Sequence, residues 1–254
     1  MKYLGSKNRI ANEILPIILK DRIDVQYYVE PFVGGGNSID KVDGNRIGSD
    51  SNKYIIALHK AIQNGWTPPK NVTKDEYIQL KDNRNDYSDE LVGYFATQLV
   101  FGSVWFGSYR RDNTGKRNYD IEAYNNVMNQ APNLSTVEFK CCDYIDLEIP
   151  PNSIIYCDPP YKGSRPYIGE NKIKHSDFWD WCRLKYDEGH SVFISEYNAP
   201  DDFVCIWQKE ISSSGNKITD KVLSATEKLF VLKAWEEKRK EKDLTQKTLF
   251  GDVM

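Results

Sequence analysis

Asp158-Pro159-Pro160-Tyr161 follows at once on the apolar run Ser153-Ile154-Ile155-Tyr156-Cys157. The run reads as a buried strand, and two prolines end it by removing backbone donors and fixing φ at about −65°. A carboxylate and a phenol are thus held side by side on stiff backbone at the carboxyl end of a strand. An acceptor held in that way meets a polar hydrogen without first reorganising. A turn serving only the fold is the plain alternative.

A second group stands at Glu30-Pro31-Phe32-Val33-Gly34-Gly35-Gly36-Asn37, at the end of the strand-like run VQYYVEPF. Glycines at a strand-to-helix turn let a ligand approach the backbone where a Cβ would collide with it. The dinucleotide pattern G-x-G-x-x-G is not met, and an acid ahead of the turn would repel a pyrophosphate, so NAD and ATP fit poorly. Asp50 ends the next strand, placed where a carboxylate in such a topology accepts both hydrogen bonds of a ribose diol. These features together suggest a nucleoside without phosphates; a tight turn with a helix cap accounts for the same residues structurally.

The third group is cationic. Between Trp105 and Tyr119 the residues Tyr109, Arg110, Arg111, Asn113, Lys116 and Arg117 surround an Asn-Thr-Gly turn, which predicts a basic hairpin or loop. Such an element enters a groove of DNA, where arginine reads guanine edges and lysine neutralises phosphate. An ordinary solvated hairpin tip is the alternative.

These groups need a scaffold. Runs rich in β-branched and aromatic residues at 25–32, 45–50, 135–143, 152–158, 190–197, 202–212 and 227–233 predict seven strands. Helical stretches at about 7–20, 51–63 and 175–188 alternate with them, as in an α/β sheet covered by helices on both faces. Residues 63–132 lack an apolar strand core and read as an inserted, mostly helical segment, which leaves 1–62 and 133–233 to build the sheet. From 234 to 254 the chain is charge-dense and then loses periodicity, predicting a helical extension followed by a loose tail.

With 254 residues, 40% of them hydrophobic, the chain has enough material for one large core with an insertion. A net charge of −3 confines any nucleic-acid contact to a local patch. The cysteines at 141, 142, 157, 182 and 205 form no C-x-x-C pair, which points to reduced thiols and to no zinc site. The histidines at 59, 175 and 190 are scattered and suggest neither a metal nor a proton shuttle. No apolar leader or membrane-length stretch is present, so the expectation is a soluble, cytoplasmic protein.

Tyr3-Leu4-Gly5-Ser6-Lys7, the Glu30 to Gly36 turn, Asp50 and Asp158-Pro159-Pro160-Tyr161 resemble, in this order, motifs X, I, II and IV of the Dam-type (D12 class, group α) DNA adenine-N6 methyltransferases. The similarity runs through about 1–60 and 134–233, while the middle segment resembles the family's target recognition domain by position. The resemblance implies S-adenosylmethionine as cofactor, a seven-stranded Rossmann-like methyltransferase sheet, and an adenine flipped out of double-stranded DNA as substrate. It places Tyr3, Gly5 and Lys7 near the methionine end of the cofactor, with Glu30, Pro31, Phe32, Gly34 and Gly36 around it. Asp50 falls on the ribose and Asp143 on the cofactor's adenine amine, with a turn-initiating aspartate as the alternative for Asp143; Phe32 and Phe178 are candidates for the pocket's apolar wall, with core packing as the alternative. Ser195-Glu196-Tyr197-Asn198 stands where many relatives carry Ser-Asn.

The resemblance also implies a chemistry. The adenine N6 lone pair is delocalised into the ring, and the nitrogen becomes nucleophilic only when its hydrogens are drawn away. In the family's arrangement the Asp158 carboxylate and the Pro159 carbonyl accept those hydrogens, Pro160 stiffens the backbone, and Tyr161 stacks on the extruded base. Transfer is direct, with no covalent enzyme intermediate, so the cysteines are not nucleophiles. A cytosine N4, an RNA adenine, a glutamine amide, or a catalytically silent DNA-binding regulator are the competing readings. In the tail, Gln246-Lys247-Thr248-Leu249-Phe250 resembles peptides that dock on bacterial sliding clamps through Gln246, Leu249 and Phe250.

Overall fold

The computed structural model describes residues 1–112, 114–161, 173–212 and 224–250. Seven strands, β1 (Tyr28–Glu30), β2 (Arg46–Asp50), β3 (Glu138–Cys141), β4 (Ile154–Cys157), β5 (Ser191–Ser195), β6 (Phe203–Ser212) and β7 (Ser224–Leu232), join in one sheet. Each coincides with or overlaps an expected run, and the order is β3-β2-β1-β4-β5-β7-β6. β1 and β4 are buried along their whole length, as central strands of a sheet covered on both faces must be. The first five strands pair in parallel, and β7 runs antiparallel between β5 and β6. This is the seven-stranded Rossmann-like sheet that the motifs imply.

The chain moves from β1 to β2 and β3 toward one edge, then returns to β4 on the other side of β1. At that reversal a crevice opens over the carboxyl ends of β1 and β4, the place where open α/β sheets bind ligands. Both acid-bearing turns, after Glu30 and after Cys157, lie there.

Helices α1 (Ala11–Ile18), α2 (Lys53–Gln63), α3 (Lys74–Asp82), α4 (Asp89–Gln98), α5 (Tyr119–Met128), α6 (Ala131–Leu134), α7 (His175–Asp187) and α8 (Lys233–Phe250) complete the described fold. α1 lays Ile14 and Ile18, one turn apart, in the cluster that holds Tyr28 and Tyr156. α7 lays Phe178 and Trp181 in the opposite cluster with Val29 and Ile155. Successive residues of β1 and β4 thus feed the two faces in turn, as strand geometry dictates. The expected helix at 7–20 opens as a 3-10 turn over Lys7–Arg9, with the Ser6 hydroxyl accepting from the Asn8 amide. That turn carries Lys7 inward, where it is only 6% exposed, rather than leaving it solvated at a helix start.

Residues of the inserted segment build a third cluster from Tyr77, Tyr94, Phe95, Trp105 and Phe106. α2 serves both cores: Ile56 joins the sheet, while Ile55 and Leu58 join the insertion. α4 crosses α2 at Gly93, where a Cβ would strike the Tyr54 carbonyl. Thr73 and Glu76 form a capping box that starts α3.

One pair of alternatives is decided and one expectation needs correction. The described residues around 100–118 form no hairpin ladder: one bridge, Val100 with Tyr109, closes a compact loop, and the cations follow it in an irregular turn. Asn113 lies outside the described residues. At the other end, α8 runs through Phe250 where a loose tail was expected, because no glycine or proline interrupts this Lys- and Glu-rich stretch before Gly251. The side chains of Gln246, Leu249 and Phe250 lie outside the described residues.

Candidate active site

A cavity of about 320 Å³ fills the crevice. The Tyr3, Gly5 and Lys7 segment lines it, as do Glu30, Pro31, Phe32 and Gly34 after β1. Asp50 and Asp143 come from the ends of β2 and β3, and Asp158, Pro159, Pro160 and Tyr161 from the end of β4. Residues separated by more than a hundred positions thus share one wall, because the parallel strands all end there. Gly36 stands apart: at φ +64 its missing side chain faces His59 and Leu134, so it serves packing behind the turn.

The glycines have a different occupant from the one expected. A Cβ on Gly34, at φ +45, would lie 2.5 Å from the Tyr3 ring, and one on Gly35 would lie 2.8 Å from the Tyr3 Cβ. The turn is therefore hollowed to seat the chain's own amino-terminal segment, which then forms one side of the cavity. Three side chains hold the turn. The Asp50 Oδ2 accepts from the Gly34 amide at 2.9 Å, and its Oδ1 from the Asn52 amide at 2.9 Å. The His59 Nε2 lies 2.8 Å from the Gly34 carbonyl, which only accepts, so this nitrogen carries the proton. The Gln130 amide donates to the Gly35 carbonyl at 3.1 Å and to the Gly36 carbonyl at 2.9 Å. Burial pulls His59 down to about 4, keeping the ring neutral, and pushes Asp50 up to about 6. His59 and Gln130 carry no signal in the sequence, since each looks like an ordinary residue at a helix.

Glu30 is buried, accepts from the Tyr28 hydroxyl at 2.9 Å, and is raised well above the usual carboxylate range by burial. Asp143 turns one oxygen to the Ile145 amide at 3.1 Å. Phe32 forms the apolar wall, its ring 5.2 Å from Tyr144 and 5.8 Å from Phe178. Phe178 itself is fully buried behind Phe32.

On the other side of the cavity one ammonium is shared. Lys7 Nζ lies 2.9 Å from Asp158 Oδ1 and 3.6 Å from Glu227 Oε2, and donates to the Gly5 carbonyl at 3.1 Å. It also sits 4.6 Å from the centre of the Tyr161 ring. The Tyr161 hydroxyl donates to Glu227 at 2.8 Å, and its ring meets Tyr197 edge-on at 4.6 Å. Lys7 thus pairs with Asp158, a contact that its expected place near the methionine end of a cofactor did not include. Burial alone would lower Lys7, but Asp158 and then Glu227 outweigh it and hold the ammonium above its ordinary value. Asp158 is pushed up to about 6, first by burial; Lys7 pulls it down and Glu227 pushes it up again. Beneath, the hydroxyls of Tyr156 and Ser195 pair at 2.8 Å, and buried Glu196 accepts from the Tyr197 amide. Glu227 escapes a reading of the sequence, where it looks like an exposed strand end, and Tyr197 stands out there only as part of the run Ser195 to Asn198.

The cationic loop is less free than its composition suggests. Arg110 lies 3.8 Å over the Tyr119 ring and 3.4 Å from Glu122, while Arg117 grips Glu122 with two bonds of 2.8 and 2.9 Å. Asp112 gathers the amides of Thr114, Lys116 and Arg117 at 2.9, 2.8 and 2.8 Å, and these bonds, led by those from Thr114, hold it at about 2. Tyr109 is tied to the Val72 carbonyl and packs 5.3 Å from Tyr77, inside the insertion's core. Lys116 remains exposed.

A parallel sheet with its last hairpin folded back, and an acid-walled crevice ending at Asp158-Pro159-Pro160-Tyr161, agree with the methyltransferase fold that the motifs imply. The model of the D12 class N6 adenine-specific DNA methyltransferases matches residues 3–180, and the chain belongs to that family. It is a DNA adenine-N6 methyltransferase that uses S-adenosylmethionine. The chain is 26% identical over 234 residues to the type II methyltransferase M.MjaIII of Methanocaldococcus jannaschii, covering 78% of each. To the type II methyltransferase M.FokI of Planomicrobium okeanokoites it is 24% identical over 213 residues, spanning 73% of this chain and 32% of that one. A solved structure of SMU.472, a putative methyltransferase complexed with SAH, overlaps 89% of this chain and 53% of its own at 12% identity, with a TM-score of 0.34. Among the described residues no cluster of His, Cys, Asp and Glu could hold a metal, and no helix is long and apolar enough to cross a membrane.

Proposed function

We propose that the enzyme methylates an adenine turned out of double-stranded DNA within a specific short sequence, with Asp158 and the Pro159 carbonyl drawing the two N6 hydrogens. The supporting observation is the position of Asp158: it opens on the same cavity as the glycine turn, held by a neighbouring cation but still partly exposed at 21%. Tyr161, anchored through its hydroxyl, offers the face on which an extruded base stacks and recovers part of the few kcal/mol lost on unstacking.

The cavity suits S-adenosylmethionine. Glu30, Asp50, Asp143, Asp158 and Glu227 line it against the one ammonium of Lys7 among its described lining residues, a wall that favours a sulfonium and disfavours phosphate. Asp50 retains lone pairs for a ribose diol beyond its two backbone bonds, and Phe32 gives an apolar wall for the purine. Bound there, S-adenosylmethionine supplies an electrophilic methyl group. The chain's own residues then orient the amine, exclude water from it and accept its hydrogens, which is positioning and electrostatics rather than covalent catalysis.

The target sequence is set by the insertion and its loop at 109–117, acting on cellular DNA in the cytoplasm. A further contact, of Gln246, Leu249 and Phe250 with a sliding clamp, rests on the sequence pattern alone; removal of residues 244–254 would abolish it. The decisive experiment for the activity is mass analysis of nucleosides from duplex DNA incubated with enzyme and labelled cofactor. N6-methyladenine is expected, and Asp158→Asn should lower its yield by on the order of 10²- to 10⁴-fold while cofactor still binds. N4-methylcytosine, or an undiminished yield from Asp158→Asn, would refute this reading.

A further inference from the structure

Lys7 has three donors and three oxygen neighbours: the Gly5 carbonyl at 3.1 Å, Asp158 at 2.9 Å and Glu227 at 3.6 Å. A carboxylate closely paired with an ammonium is a poor acceptor for a weakly acidic amine, because the cation stabilises the charge that the amine's hydrogens are meant to engage. Asp158 alone with Lys7 would be such a carboxylate. Glu227 alters that balance. It reaches the cavity from a different strand, touches the same ammonium, and at the same time takes the Tyr161 hydroxyl at 2.8 Å.

We propose that Glu227 is a positioning residue for the transfer: it shares the Lys7 ammonium with Asp158 and anchors the Tyr161 ring, so that Asp158 stays a strong acceptor facing the stacked base. The inference rests on the assignment of Asp158 as the acceptor of the N6 hydrogens. Other groups facing Asp158 are Tyr161 and Tyr197 on its open side, Tyr156 from its own strand and Glu30 from β1. Tyr28, Tyr156 and Tyr161 are all raised well above the ordinary phenol value, with burial the first cause. The described charged groups that set the behaviour of Asp158 are therefore Lys7 and Glu227. The upward push that Glu227 exerts on Asp158 agrees with this arrangement.

Glu227→Gln separates the charge from the anchor, since the amide oxygen still accepts from Tyr161 and only the negative charge is lost. In kcat against pH on duplex DNA, the acidic limb should move down by roughly one pH unit as Lys7 becomes wholly committed to Asp158. The plateau should fall by about tenfold. Cofactor affinity, measured by calorimetry on the same protein, should be unchanged. Glu227→Ala also frees Tyr161 and should add a rise in KM for DNA that Glu227→Gln lacks. An acidic limb that stays in place in Glu227→Gln, while the wild type turns over and cofactor binds normally, overturns the role of Glu227 and leaves the activity standing. Loss of cofactor binding in Glu227→Gln would make the residue merely structural and also overturns it. A wild type that forms no N6-methyladenine overturns both.

Discussion

Replacing Lys7 by methionine keeps the length and apolar stem of the side chain and deletes the ammonium that Asp158 and Glu227 share. Two carboxylates are then left around a space lined by Tyr161, with no countercharge at 2.9 and 3.6 Å. Loss of an opposite charge at that distance raises a carboxyl by roughly one to three pH units. Asp158, at about 6 with Lys7 in place, should move to roughly 7 to 9 in Lys7→Met. At pH 7 the ionised fraction would fall from about nine-tenths to between roughly one-half and one-hundredth, and kcat with it. The direction is opposite to that expected for Glu227→Gln. Stability supplies a check of the opposite sign. A carboxyl whose folded value lies above its ordinary 3.8 binds its proton more tightly when folded, so its contribution is present at low pH and is lost as pH rises toward the folded value. In the wild type that window is about 4 to 6; in Lys7→Met it extends upward, at about 1.4 kcal/mol per pH unit. The variant should therefore gain activity with rising pH over the range in which its Tm declines. Methyl transfer to duplex DNA between pH 5.5 and 10, with thermal melts in the same buffers, measures both. A Lys7→Met variant whose acidic limb is unmoved, but whose KM for cofactor rises, would sink the argument and assign Lys7 to the cofactor's carboxylate.

Gly34→Ala forces an L-residue to φ +45 and drives its Cβ to 2.5 Å from the Tyr3 ring; a strain of about 1–2 kcal/mol plus displacement of Tyr3 should weaken cofactor binding by at least about tenfold, and an unchanged Kd by calorimetry would contradict the seat described for Tyr3. Glu122→Gln releases Arg110 and Arg117 from their ion pairs; affinity for DNA should rise and the slope of log K against log salt should steepen by about one, and a weaker, unsteepened salt dependence would mean that these arginines contact DNA only when held by Glu122.

The parts of this molecule that were legible in its sequence are those in which local chemistry and global fold agree. The strands at 152–158 and 190–197 are apolar runs because both faces of a parallel strand are covered, and the order of the motifs placed their turns at one end of the sheet. Lys7 was legible as a residue and not as a partner: a lysine after Gly-Ser reads as a solvated helix start, and only the 3-10 turn at Lys7–Arg9 points it inward. The loop at 109–117 is more tethered than its composition suggests because a count of cations ignores Glu122, twelve positions after Arg110 and five after Arg117, which lies on the following helix, turned back onto both. His59 and Gln130 were invisible for a related reason. Their work is to satisfy carbonyls of a glycine turn, a need that exists only once the turn is folded.

Glu227 shows how sheet topology creates a site that no motif encodes. In a sheet of parallel strands every carboxyl end reaches the crevice and every amino end points away, so a residue early in a strand cannot contribute. β7 escapes that rule because it runs antiparallel to β5, with Phe230 opposite Ile194 and Leu229 opposite Ser195. Two residues earlier, Glu227 lies beyond the end of β5, at the level of the loop that carries Tyr197, and overhangs the cavity between Tyr161 and Lys7. The pairing of Glu227 with Lys209 on β6 fixes that height from the other side. A one-residue slip of β7 would turn the carboxylate to the opposite face of the sheet and leave the Tyr161 hydroxyl and the third donor of Lys7 without it. The register of an edge hairpin, far from the motifs in sequence, therefore decides whether Asp158 shares the Lys7 ammonium or holds it alone.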